Sequence, residues 1–88
     1  MAVVFFTNSH AVQPDAPGSF EILLDDVRPA TRILSAGFYL QHDSLRVLRI
    51  APMSDGGIGV PGAVIGWSMV VWNDDTVAHD ATLYVTAE

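Results

Sequence analysis

Three histidines, His10, His42 and His79, are the residues best suited to chemistry near neutral pH, and two of them precede a carboxylate, as His42-Asp43 and His79-Asp80. Imidazole nitrogens and a carboxylate oxygen form a zinc donor set, and three such ligands with one open position make a reactive centre. Adjacent residues of a strand, however, point to opposite faces. A His-Asp pair can share one ion only from within a turn. Ligation, or acid–base work by His42, His79 and an acid in one cleft, is therefore not expected, and the histidines read as solvated residues at strand ends.

Other chemistries are weaker still. Asp25-Asp26 and Asn73-Asp74-Asp75 are oxygen-rich segments, and calcium takes six to eight oxygens. Asp74 and Asp75 are the best placed for it, but Asp and Asn also stabilise turns through their own side chains. Ser44, His79 and Asp80 supply the residue types of a hydrolytic triad without a G-x-S-x-G turn to present the nucleophile. The glycines of SDGGIGVPG lack the lysine and following helix that cradle a phosphate. The chain contains no cysteine, which removes disulfides, thiolate metal sites and cysteine nucleophiles. No enzyme activity and no cofactor are expected.

Charge narrows the partners. The formal net charge is −6, every cation is an arginine, and Arg28, Arg32, Arg46 and Arg49 all lie in the middle of the chain. Phosphate contacts need clustered positive charge, so nucleic acid is not an expected partner. The arginines read either as ordinary surface residues or as a basic patch meeting an acidic surface of a neighbouring copy. No run approaches the roughly 18 apolar residues of a membrane span. MAVVFFTNSH also lacks the charged start of a signal peptide, so a cytoplasmic, separately made protein is expected.

The elements that must position these residues are strands. Short apolar runs alternate with turn clusters at the spacing of an all-β protein, a small antiparallel sandwich or jelly-roll-like fold of about six to eight strands, with residues 1–88 as one domain. Ala2–Thr7 is apolar at consecutive positions and reads as buried on both faces. Gln13–Gly18 reads as a loop because of its two prolines and glycine. Ser19–Leu24 turns Phe20, Ile22 and Leu24 to one side, and Asp25–Thr31 is a turn. Arg32–His42 follows, with Leu34, Ala36, Phe38 and Leu40 as its apolar face. His42-Asp43-Ser44 leads by a tight hairpin into Leu45–Ala51, whose parity breaks and requires a bulge near Val47-Leu48. Pro52–Gly62 is an open loop carrying Ile58 and Val60. Ala63–Asn73 and His79–Ala87 are expected to form a terminal hairpin within one sheet.

Ala63–Asn73 places its two tryptophans on opposite faces. Ile65, Trp67, Met69 and Val71 form the core side, so Trp72 needs another cover: the proline loop, a subunit or a ligand such as a sugar ring. Tyr39 stands similarly on the mixed face of its strand. A chain of this length buries only about 60–65% of its unfolded surface, and small domains without staples often compensate by oligomerising. The candidate interface or ligand residues are accordingly Trp72, Tyr39, Ile58, Val60, Arg46 and Arg49.

Gly66-Trp67, Val70-Val71, Asn73, Ala78, Ala81, Tyr84 and Ala87 spell a strand, an asparagine-led turn and an alanine-rich alternating strand. That end of the chain resembles the closing hairpin of small β-sandwich modules of bacteriophage virions, at fibre tips and in capsid decoration proteins. The resemblance implies a non-enzymatic structural module, a homo-oligomer with a trimer favoured, attached to capsid or fibre proteins of a virion. The alternative is a carbohydrate-binding, lectin-like domain that uses exposed aromatics on glycans.

Overall fold

The computed structural model describes residues 2–6, 10–54 and 63–88. They form seven strands: β1 (Val3–Phe6), β2 (His10–Val12), β3 (Pro17–Leu23), β4 (Ile33–Leu40), β5 (Leu45–Ser54), β6 (Val64–Asn73) and β7 (His79–Ala87), with a 3₁₀ turn at Leu24–Val27. Every pairing is antiparallel. In one sheet β7 is central, with β4 on one side and β1 and β2 end to end on the other; in the second, β6 is central between β3 and β5. The fold is the expected small all-β sandwich.

The core follows from strand parity. Ala81, Leu83, Val85 and Ala87 alternate along β7 and are fully buried, facing Met69 and Val71 of β6 and Phe20 and Ile22 of β3. The expected bulge is present: the β5–β6 register shifts between Val47 and Arg49, which throws Leu48 outward and returns Ile50 to the core side. A second bulge, between Ile33 and Ser35, ejects Leu34 from the apolar face predicted for β4. Ile33 takes its place, opposite Ala87, and Ala36, Phe38 and Leu40 keep theirs.

Four expectations are corrected. β3 begins at Pro17, inside the predicted loop; as the first residue of an edge strand a proline breaks no ladder. β1 is not buried on both faces: Val3, Val4 and Phe6 are exposed, with β1 at the margin of its sheet. β6 and β7 are not a hairpin, since they belong to opposite sheets, and the same holds for β4 and β5. Their central strands need partners on both sides and a facing core, and crossing between sheets supplies both. The links 41–44 and 74–78 therefore run side by side across one end of the sandwich. The Asp74 amide donates to the Ser44 carbonyl (3.1 Å) and the Gln41 amide to that of Asp80 (3.0 Å).

Candidate functional site

The two crossing links bring His42 from one and Asp75 and His79 from the other into a cluster whose potential ligand atoms lie within 4.8 Å of one another. The imidazoles of His42 and His79 stack face to face, with centroids 4.0 Å apart and planes 4° apart. His79 Nε2 is 2.7 Å from Asp75 Oδ2. That hydrogen bond, followed by one from the Thr76 amide, holds the Asp75 carboxyl below the usual carboxylate range. His42 Nδ1 is engaged by Ser44, whose Oγ is 2.9 Å away, and by Asp43 Oδ1 at 3.3 Å. The argument from adjacent residues that separated His42 from His79 is overturned: the two rings meet across the links, and His79 bonds to Asp75 four residues before it rather than to its neighbour Asp80. Asp80, on the outer side of β7, takes no part; its amide is bonded to Gln41 Oε1 (2.7 Å).

Asn73 organises this end of the molecule. Its side chain is fully buried; Nδ2 donates to the carbonyls of Val12 (2.8 Å) and Val77 (2.9 Å), and Oδ1 accepts from the Asp75 amide (2.8 Å) and the Ser44 hydroxyl (3.2 Å). It thus ties both links to β2 and aims Ser44 at His42. Asn73 was read only as a turn residue, yet it continues the parity of Ile65, Trp67, Met69 and Val71. A polar residue on the core face of a strand was the available signal.

The residues predicted to form an interface divide between two opposite surfaces. Tyr39 lies on the outer side of β4, 67% exposed. Trp72, Arg46 and Arg49 lie on the outer side of the other sheet, where Trp72 is half-buried between its register partners Pro17 and Arg46. Trp72 Nε1 donates to Asp74 Oδ1 (3.0 Å), so the proline end of β3 and a neighbouring acid provide the cover that it needed. Ile58 and Val60 lie outside the described residues. The arginines do not gather into one patch: Arg28 pairs with Asp25, Arg32 with Glu88 and Arg46 with Asp74. Arg32 and Arg46 are met by acids remote in sequence, and Arg28 by one three residues before it. The carboxylates considered for calcium are likewise engaged with cationic or N–H partners.

A further surface went unnoticed in the sequence. On the outer face of the β4–β7–β1 sheet, Phe6 packs on Tyr84 (centroids 5.5 Å), and the Tyr84 ring lies over Gly37, where an added Cβ would stand 2.4 Å from its Cζ. Phe6 and Tyr39 are each about two-thirds exposed, Val4 about half. Register places Ser35, Thr82 and Thr86 among them, so the face between Val4 and Tyr39 holds no formal charge. Between the sheets, a cleft of about 350 Å³ is lined by Phe5, Phe20, Ile22 and His10, whose ring stacks on Phe20.

Among the described residues no helix is long and apolar enough to cross a membrane. Comparison with protein families, with characterised proteins and with solved structures finds no match for this chain.

Proposed function

We propose that this chain is a non-enzymatic interaction module that associates with further copies of itself through the outer face of the β4–β7–β1 sheet. The observation that carries the reading is the exposure of Val4, Phe6 and Tyr39 around the half-buried Tyr84 in one uncharged, aromatic surface. A second copy is the occupant that electrostatics favours. The chain carries a net charge of −6, and two like-charged molecules approach at least cost through a face that bears none of it. Tyrosine and phenylalanine also bring large apolar area to such contacts. A trimer attached to a virion is the larger setting implied by the resemblance of the chain's end.

Light scattering at micromolar concentration tests this. Wild type should run as an oligomer, while Phe6→Glu and Tyr39→Glu should each fall to the monomer mass. Trp72→Ala, on the opposite sheet, should leave the mass unchanged. A monomeric wild type would remove the proposal. Binding of glycans by that monomer, lost in Tyr39→Ala, would favour the lectin-like alternative instead.

A further inference from the structure

We propose that His42, Asp75 and His79 form a binding site for one zinc-like divalent ion, which clamps the two sheets together at the end where the chain crosses between them. The donors are two imidazole nitrogens and a carboxylate oxygen within 4.8 Å of one another. This N₂O set suits zinc and its neighbours rather than calcium or magnesium, which prefer oxygen ligands alone. A fourth position is left to water or another ligand.

The surroundings resemble the outer shell of a metal centre. Ser44 and Asp43 engage His42 Nδ1, which leaves Nε2 of that ring for the ion. Ser44 is itself held by Asn73 Oδ1, which also fixes the Asp75 amide, so one buried side chain positions the supports of two ligands. The Ser44 amide also donates to His42 Nδ1 (3.1 Å), and such partners fix ring orientation. The lone pairs of the stacked rings lie in nearly parallel planes, whereas a tetrahedral ion needs them to converge on one point. Binding therefore tilts the rings out of their stack and replaces the His79–Asp75 hydrogen bond with two metal bonds.

The benefit is mechanical. Residues 41–44 and 74–78 both pass from one sheet to the other, so an ion held between them closes a cross-link that cysteine provides in other small domains. Its donors belong to the two links and the start of β7, and none of them is a residue of the aromatic face.

Calorimetric titration with zinc chloride at neutral pH, on protein free of a polyhistidine tag, tests the proposal. One ion per chain should bind in the micromolar range or tighter and raise the melting temperature, with the rise reversed by a chelator. His42→Ala and His79→Ala should each abolish the high-affinity phase, and Ser44→Ala should weaken it by about tenfold, the cost of an outer-shell partner. Cobalt should give the intense visible bands of tetrahedral coordination in wild type only. Circular dichroism in metal-free buffer identifies variants that remain folded. No binding below millimolar zinc, half an ion per chain, or unchanged binding in folded His42→Ala and His79→Ala would each overturn the site.

Discussion

Asn73 is the residue whose loss should be felt most widely at this end of the sandwich. Replacing it with alanine strands the carbonyls of Val12 and Val77 and the amide of Asp75. A buried group left unpaired costs about 1–3 kcal/mol, so Asn73→Ala should lower unfolding free energy by roughly 2–4 kcal/mol in urea denaturation. Asp75 makes a second prediction, through pH. A carboxyl whose folded-state pKa lies below its unfolded value binds its proton more weakly when folded. Its contribution is fully present above the unfolded value, ordinarily near 3.8, and disappears as pH falls through the lower, folded value. In metal-free buffer, the stability gap between wild type and Asp75→Asn should therefore be constant above that window and shrink below it. A gap unchanged by acid would show that Asp75 is not held ionised by His79 and Thr76.

At the scale of the strand, β3 and β6 approach closely at Gly66. An added Cβ there would stand 2.7 Å from the backbone oxygen of Ile22 and 2.9 Å from Leu23 Cδ2. Backbone cannot yield as a side-chain tip can. Gly66→Ala should therefore cost about 1–3 kcal/mol, as overpacking does, and weaken amide protection along β3 in hydrogen exchange. Protection unchanged in β3 would contradict the contact. Gly37 is different, because the atoms in the way belong to the Tyr84 ring. The bulges at Leu34 and Leu48 act at this scale too: each adds one residue to its strand, so the residues on either side of it recover the face that their partners require.

At the scale of the whole fold, the described residues form two layers and no third, within Cα extents of 44 × 27 × 15 Å. Among the described residues no further element packs on either outer face. The face of the β3–β6–β5 sheet carries Arg46, Arg49 and Glu21 and the half-covered Trp72, whereas the opposite face carries uncharged aromatics. That asymmetry is why self-association is assigned to one sheet and why charge introduced at Phe6 or Tyr39 should disrupt it while truncation of Trp72 should not. β4 and β1 are also margins of that sheet, and unpaired margins add to its tendency to meet another chain.

What the sequence alone determined is local or periodic. Alternation in His79–Ala87 named the buried residues of β7, the broken parity of Leu45–Ala51 named a bulge, and composition excluded disulfides and a phosphate-binding surface. These follow from a period of two and from residue type, which act over a few positions; the absence of a nucleic-acid partner stays an expectation from charge. The tertiary structure decided what depends on which strands pair. It sent β6 and β7 to opposite sheets, left most of the apolar β1 exposed and matched Arg32 and Arg46 with distant acids. It also set His42 against His79, residues 37 positions apart in the chain. Spacing along the chain made a shared site look unfavourable. The crossing of two links made it close, because antiparallel strands pair by register and facing core rather than by order in sequence.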